Sequence, residues 1–258
     1  MTHPYLTGLP VPRVLAHRGL VTADAASSGI VENSFAAVAA AHAAGADYVE
    51  SDCHLTADGT VVLFHDPDLS RVTGDPRKLA DVPLAELEDL MAERGGLITL
   101  EQALDAFPET RFNIDVKAAA AAAQAGAIVA PYAERVLLTS FSDERRREAL
   151  TSAREVRADL LPATSAGSGT ILRLLAMLVV RSARGVARQL AGIDALQVPE
   201  RQRGIHVVTP RFIEAAHRNG VEVHVWTVND PDDMRRLVAM GVDGIVTDRA
   251  DVALAALS

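Results

Sequence analysis

Two pairs of charged residues lie two positions apart in segments that read as β-strands: Glu50 with Asp52, and Asp115 with Lys117. Residues two apart share one face of a strand, so the members of each pair point the same way. Three carboxylates that converge on one site repel one another unless a cation neutralises them. An all-oxygen set suits a hard divalent ion better than Zn²⁺. We therefore predict Mg²⁺ or Ca²⁺ beside Glu50, Asp52 and Asp115.

A histidine stands at the end of two of the predicted extended segments, and an arginine follows the first of these histidines. His17 and Arg18 follow the first predicted strand, and His65 follows the extended segment after the second. Arg18 and Lys117 would place positive charge beside an anion next to the metal, as phosphoryl chemistry requires. One histidine could take a proton from an attacking oxygen while the other gives a proton to the leaving oxygen. The sequence leaves open which histidine does which.

Residues of the same types elsewhere are weaker candidates, because a single histidine or acid pair on a strand is more often structural. His54 follows Asp52 by two positions and could share its face. Cys53 should point the other way, into the barrel wall, as a small buried hydrophobe. The functional interpretation depends on several strand ends each offering a residue type that one reaction needs.

Short β-like segments alternate with helical patterns along the whole chain. This alternation over 258 residues predicts one (β/α)8 TIM barrel domain spanning 1–258, with its site at the C-terminal ends of the strands. A doubly wound open sheet is the alternative, but no GxGxxG turn follows the first strand. The predicted strands are 13–16, 47–52, 111–117, 135–139, 156–161, 194–198, 221–226 and 244–247, with a further extended segment at 61–64.

Composition excludes several classes of protein. One cysteine rules out an internal disulfide framework and a cysteine-rich zinc module. A net charge of −9 argues against a general nucleic-acid binder, because no basic excess is available to neutralise phosphates. The N-terminus lacks the pattern of a secretory signal, so we expect a cytoplasmic protein.

Residues 171–190 combine leucine and valine with four arginines and no acid. Its most apolar window, 171–180, is interrupted by Arg173 and is too short to cross a bilayer as a helix, which needs about 20 apolar residues. The commoner structure of such a stretch is an outer helix that packs on the sheet and keeps its arginines in water. The alternative is a basic amphipathic surface that makes peripheral contact with anionic lipid headgroups.

A series of short motifs occurs in a fixed order from residue 14 to residue 248, and together they closely resemble the glycerophosphodiester phosphodiesterase family. No single motif is as specific as the ordered set. The motifs are AHRG at 16–19, ENS at 32–34, VESD at 49–52, LTADG at 55–59, VLFHDP at 62–67, RVTG at 71–74, NIDVK at 113–117, SF at 140–141, VWTVN at 225–229 and GVDGIVTD at 241–248.

The resemblance implies a TIM barrel that uses a divalent cation to hydrolyse glycerophosphodiesters, small-molecule substrates, to an alcohol and glycerol 3-phosphate. The third metal carboxylate is usually Glu in this family and is Asp115 here, as in the related sphingomyelinase D group. The metal preference therefore stays open, and a lysophospholipase D or sphingomyelinase D-like enzyme acting on lipids is the alternative. The implied roles are metal ligation by Glu50, Asp52 and Asp115, acid and base catalysis by His17 and His65, phosphate contacts from Arg18 and Lys117, and a pocket wall that includes Trp226.

Overall fold

Strands and helices alternate along the computed structural model, which describes residues 2–257. The strands are β1 Arg13–His17, β2 Tyr48–Leu55, β3 Val61–Leu63, β4 Arg111–Val116, β5 Val136–Thr139, β6 Ala163–Thr164, β7 Ala195–Pro199, β8 Arg201–Gln202, β9 Ile205–His206, β10 Glu222–Trp226 and β11 Gly244–Thr247. The α-helices are α1 Ala23–Ser27, α2 Phe35–Ala43, α3 Ser70–Thr73, α4 Leu84–Met91, α5 Leu100–Ala106, α6 Ala122–Val129, α7 Asp143–Val156, α8 Ser168–Val179, α9 Ala183–Leu190, α10 Pro210–His217, α11 Pro231–Ala239 and α12 Ala250–Leu257.

Eight of the described strands are parallel neighbours in the order β6-β5-β4-β2-β1-β11-β10-β7. A parallel bridge between Ser165 and Ala195 joins the two ends of this order and closes the circle. Strand β3 adds antiparallel to β2, and β8 and β9 form a separate hairpin. The predicted TIM barrel is therefore confirmed over the described residues, and the open sheet is wrong.

Alternate residues of each barrel strand face opposite sides, and burial separates them into two groups. Val14 and Ala16 of β1 belong to the large apolar cluster that includes buried residues of the surrounding helices. Leu15 belongs to a second, smaller cluster that also contains Tyr48 of β2. His17 and Glu50 follow Leu15 and Tyr48 by two positions. The same alternation therefore carries them up the inner face toward the mouth.

The fifth barrel strand lies further along the chain than the sequence pattern predicts. The sequence pattern predicts this strand at 156–161, and that prediction is wrong: α7 continues to Val156, and the strand is Ala163–Thr164. The alternation of apolar and charged residues there reflects the end of an amphipathic helix, where Val156 is 56% exposed, and a loop with an Arg157–Asp159 ion pair. The observed strand has only two residues, both with small side chains, so it shows no alternation of apolar and polar residues.

The basic stretch 171–190 is divided between α8 and α9 instead of forming one helix. The chain turns at Arg181, whose φ is 55°, and the Ser182 hydroxyl then accepts the Gly185 amide to begin α9. A Cβ on Gly185 would lie 2.5 Å from the Met177 sulfur, so glycine allows the two helices to approach closely. Within residues 2–257, no helix is long and apolar enough to cross a membrane.

Candidate active site

A cavity of about 460 Å³ opens at the C-terminal ends of the barrel strands. All of the residues predicted from the sequence for catalysis, metal binding and substrate binding line it: His17, Arg18, Glu50, Asp52, His65, Asp115, Lys117 and Trp226. The structure thus brings the predicted set together in one place, although their individual roles stay predictions.

Strand register explains why these side chains meet. His17 of β1 is the direct neighbour of Glu50 in β2, and Asp52 is the direct neighbour of Asp115 in β4. Because the strands are parallel and in register, acid and base groups that are distant in sequence become adjacent in one layer. Lys117 follows β4 immediately, so its side chain reaches the same layer.

Lys117 lies between two of the three predicted metal ligands. Its Nζ is 2.9 Å from Asp52 Oδ1 and 2.6 Å from Asp115 Oδ2, and Arg18 Nε is 3.1 Å from Asp52 Oδ2. In this arrangement the described chain holds no group of three His, Cys, Asp or Glu side chains that could bind a metal ion. The predicted three-carboxylate site is thus gathered into one cavity but not assembled around a common point.

Two carboxylate oxygens in this layer nevertheless fit a cation. Glu50 Oε2 and Asp115 Oδ1 are buried and have no hydrogen-bond partner among the described residues. A buried polar atom left unpaired costs about 1–3 kcal/mol. Burial, followed by the charge of Asp52, raises the pKa of Glu50 to about 8. Burial likewise raises the pKa of Asp115. Acceptors without donors, in an all-oxygen set, have the chemistry that Mg²⁺ or Ca²⁺ would satisfy.

Arg18 is held rigidly at the edge of the cavity. Its backbone lies in the left-handed region at φ 57°, which is uncommon for a residue with a side chain. Its amide donates to the Glu50 carbonyl at 2.7 Å, and its carbonyl accepts the Asn33 amide at 2.9 Å. The guanidinium also donates to Glu32 at 2.7 Å. These contacts hold the Arg18 guanidinium at the edge of the cavity.

His17 is oriented by a carboxylate that directly follows the last barrel strand, β11. Its Nδ1 donates to Asp248 Oδ1 at 2.6 Å, so Nε2 is directed toward Glu50, 3.8 Å away. Asn229 donates to the other oxygen of Asp248 at 2.7 Å and so holds that carboxylate in place. Burial lowers the pKa of His17, but the hydrogen bond to Asp248 and the Glu50 charge outweigh it and leave the pKa raised.

His65 has a matching partner. Its Nδ1 donates to Asp66 Oδ1 at 2.6 Å, and Arg71 donates to Asp66 Oδ2 at 2.6 Å. Burial raises the pKa of Asp66, but the hydrogen bonds from His65 and Arg71 outweigh it and keep the pKa below its usual range. Each candidate catalytic histidine is therefore bonded at Nδ1 to a carboxylate, which fixes its tautomer and leaves Nε2 available.

Sequence reasoning assigned no role to these carboxylates or to Arg71. A signal exists for Asp66, which directly follows His65. Asp248 lies 231 positions from His17, and only barrel closure, which places β11 beside β1, makes them neighbours. Knowledge of that pairing would have been enough to find Asp248.

Two weaker candidates lie outside the cavity lining. His54 Nε2 donates to the His65 carbonyl at 3.0 Å, and burial lowers its pKa, so it supports the loop that carries His65. Cys53 is fully buried with the apolar cluster on the outer face of the barrel. Burial raises the pKa of its thiol well above the usual range, which makes it a poor nucleophile.

The other half of the cavity is apolar. Trp226 and Phe141 meet edge to face, with ring centroids 5.8 Å apart, and Phe141 also faces Lys117. Helix α8 contributes Ile171, Leu172 and Leu175. A ligand that binds here meets a charged layer on one side and an apolar wall on the other.

The fold is a TIM barrel, and its cavity brings together histidines, carboxylates and cations, the residue types that phosphate-ester chemistry uses. The model of the glycerophosphoryl diester phosphodiesterase family matches residues 17–252. A probable glycerophosphodiester phosphodiesterase of Mycobacterium tuberculosis is 36% identical over 241 residues, covering 92% of this chain and 88% of that protein. The chain therefore belongs to the glycerophosphoryl diester phosphodiesterase family and is a phosphoric diester hydrolase.

Solved structures support the same architecture. A glycerophosphodiester phosphodiesterase from Thermotoga maritima superposes with a TM-score of 0.68 at 26% identity, covering 96% of this chain and 97% of that one. A phosphodiesterase from Oleispira antarctica, solved with its product sn-glycerol-3-phosphate, superposes with a TM-score of 0.71 at 21% identity over 96% and 97% of the two chains. Members of this family are typically metal-dependent.

Proposed function

We propose that this enzyme hydrolyses glycerophosphodiesters to an alcohol and glycerol 3-phosphate, with His17 and His65 as its general acid and base. The observation that carries this proposal is the pairing of each histidine with a carboxylate at Nδ1, in one cavity that also holds Arg18 and Lys117. The family membership and the product bound by the Oleispira antarctica enzyme support the substrate class.

The residues divide the reaction between them. Arg18 and Lys117 bind the non-bridging phosphate oxygens and stabilise the charge that grows on them. One histidine accepts the proton of the attacking oxygen, either the glycerol hydroxyl or water, as the new P–O bond forms. The other donates a proton to the alcohol oxygen as its bond to phosphorus breaks. If the glycerol hydroxyl attacks, the product is a cyclic phosphate, and water then opens it.

Glu50, Asp52 and Asp115 would hold a divalent cation. The cation would supply positive charge next to the phosphate and satisfy the unpaired oxygens of Glu50 and Asp115. Lys117 would then shift its contacts from the carboxylates toward the substrate. The all-oxygen ligand set favours Mg²⁺ or Ca²⁺, and the shorter arm of Asp115, compared with the Glu usual in this family, leaves the choice between them open.

A lysophospholipase D activity on lipid substrates is the second candidate function. The apolar wall of α8 and the Phe141–Trp226 pair favour it, because a soluble headgroup does not require that much apolar surface. A lysophospholipase D of Rattus norvegicus is 24% identical over 92% of this chain and 83% of its own length.

An assay with EDTA-treated protein tests both candidates and the metal. Mg²⁺, Ca²⁺ and Mn²⁺ are restored separately, and the substrates are a panel of soluble glycerophosphodiesters and lysophosphatidylcholine. We expect glycerol 3-phosphate from the soluble panel only when a divalent cation is present. Full activity without any cation would contradict the metal assignment. Turnover confined to the lysolipid would replace the first candidate by the second.

The remaining predictions from the sequence form part of this proposal: a small-molecule phosphodiester as ligand, no nucleic-acid partner, a cytoplasmic location and a single domain over 1–258. The acidic net charge of −9 supports the second of these. We also propose peripheral membrane contact through 171–190. The positions of α8 and α9 limit the part of this stretch that can make the contact.

A further inference from the structure

Helix α8 lies along the mouth of the barrel. It begins just after β6, and Ile171, Leu172 and Leu175 line the cavity. Its far end reaches the start of α10, where Arg181 shares a surface recess with Pro210 and Arg211. Because β6 ends and α10 begins at the mouth end of the barrel, α8 stays near that level throughout its length.

Helix α9 leaves the mouth. Its residues Ala187 and Leu190 line a recess with Asp194 and Gly220, which precede strands β7 and β10 at the opposite end of the barrel. Arg188 therefore lies far from the cavity. The structure thus separates the arginines of 171–190: Arg173 and Arg181 lie near the level of the mouth, whereas Arg188 lies toward the opposite end of the barrel.

The outer face of α8 is apolar although it is exposed. Leu172 is 70% exposed, Val179 80% and Val180 65%, and Ala176 lies between them on the same face. The hairpin β8–β9 adds Ile205 at 67% exposure, while its neighbours Gln202 and Val207 line the same cavity as α8. Together α8 and this hairpin form one side of the mouth, which we call the rim surface.

Positive charge accompanies this apolar surface. Residues 168–181 and 201–206, the rim surface with the two residues that follow α8, contain four arginines and no acid, a net charge of +4, while the whole chain is −9 and the remainder is therefore −13. One of these arginines, Arg173, lies 3.5 Å from Asp143. Within residues 2–257, the other three have no carboxylate within 4 Å: Arg181, Arg201 and Arg203.

We propose that the rim surface docks the mouth of the barrel on an anionic lipid bilayer. Exposed valine, leucine and isoleucine side chains enter the boundary between headgroups and acyl chains, and the unpaired arginines contact the anionic headgroups. Charge complementarity favours an anionic bilayer as the partner, because an otherwise acidic protein places these arginines beside its exposed apolar residues. Docking goes beyond the reaction and does not depend on the roles of the histidines.

Co-sedimentation of the full chain with vesicles tests the docking. The vesicles are phosphatidylcholine alone, or phosphatidylcholine with phosphatidylglycerol, at low and at high salt. We expect binding to the anionic vesicles that weakens with salt, because exposed charges are screened. Each cation near an anionic surface changes partitioning about fivefold, so R201Q/R203Q should bind about 25-fold more weakly. V179S/V180S should bind more weakly too, through loss of apolar insertion.

The matched control is R154Q/V156S, at the opposite end of the barrel on α7. Arg154 is exposed and Val156 is 56% exposed, so the control removes one group of each kind: half the charge removed by R201Q/R203Q and one valine against the two removed by V179S/V180S. We expect it to bind as the wild type does. Equal loss in the control and the rim variants, or equal binding to neutral vesicles, would overturn the proposal. If V179S/V180S bound vesicles as the wild type does, and duplex DNA displaced the protein from them, the rim would be a general polyanion-binding surface. That result would also overturn the docking proposal.

Hydrolysis of soluble glycerophosphocholine separates docking from catalysis. None of the four substituted rim residues lines the cavity, so we expect R201Q/R203Q and V179S/V180S to keep the wild-type kcat/KM on this substrate. If vesicle binding and soluble hydrolysis fell together, the change would be general and the docking proposal would fail. A wild-type protein that binds anionic vesicles but does not hydrolyse the soluble diester would support docking and refute the proposed function.

Discussion

Replacement of Asp248 by asparagine is the sharpest test of how His17 works. The 2.6 Å bond from His17 Nδ1 to Asp248 is charge-assisted, and such bonds contribute about 1.5–3 kcal/mol. Because the Asp248 side chain is 53% exposed, solvent screening places the loss at the lower end of that range. A loss of about 1.5–2 kcal/mol corresponds to a reduction in kcat of about 10- to 30-fold.

The tautomer of His17 determines which of two variants, D248N or D248A, loses more activity. In D248N the new amide can keep its contact with Asn229 through its oxygen and turn its N–H groups toward His17. That geometry favours the ring tautomer with Nδ1 unprotonated, so Nε2 carries the proton and cannot act as a base. In D248A water can accept from Nδ1 instead. If His17 is the base, we therefore expect D248N to be at least as impaired as D248A.

Steady-state kcat on soluble glycerophosphodiester, with thermal unfolding as the check on folding, measures both variants. Asp66→Asn is the comparison at the other histidine, where Arg71 also holds the carboxylate. A kcat within threefold of wild type in D248N would refute the orienting role of Asp248. A folded D248A that is clearly more impaired than D248N would instead show that His17 is not the base.

Three further outcomes are expected. His17→Ala and His65→Ala should each abolish turnover with thermal unfolding unchanged; full activity in both would remove the acid–base assignment. Because the pKa of Glu50 is raised to about 8, its stabilising contribution to the cation-free protein is present below about pH 4.5 and is lost as pH rises through 8. The Tm of EDTA-treated protein should fall between those limits, and E50Q should flatten the fall. Gly19→Ala places a Cβ 2.6 Å from the α2 backbone at φ 86°, so it should lower the free energy of urea unfolding by more than about 2 kcal/mol. Gly45 has a similar φ of 88° but open space around it, so Gly45→Ala should lower that free energy by only about 1 kcal/mol.

The site was easier to predict from the sequence than the elements around its rim. Periodicity places Glu50 and Asp52 on one face whatever the neighbouring strands are, and the structure keeps that order. Strand β6 escaped prediction because two small residues, Ala163 and Thr164, show no alternation. The division of 171–190 into two helices depends on a tertiary contact between Gly185 and Met177, which periodicity does not report.

The partners of the histidines illustrate a different limit. Asp66 is adjacent to His65 in sequence, but Asp248 becomes a neighbour of His17 only when the first and last strands pair. The contact of Lys117 with both Asp52 and Asp115 was not foreseen either, because residue spacing gives the shared face but not the distances between side-chain ends.

The two halves of the cavity come from different parts of the chain. The charged layer is built from residues 17–117, apart from the orienting Asp248, and most of the apolar wall from residues 141–207. If the proposed roles hold, the reacting groups and the surface that contacts the leaving group are therefore encoded in separate segments of the gene, and the second segment could be exchanged with that of a relative while the reacting groups stay in place.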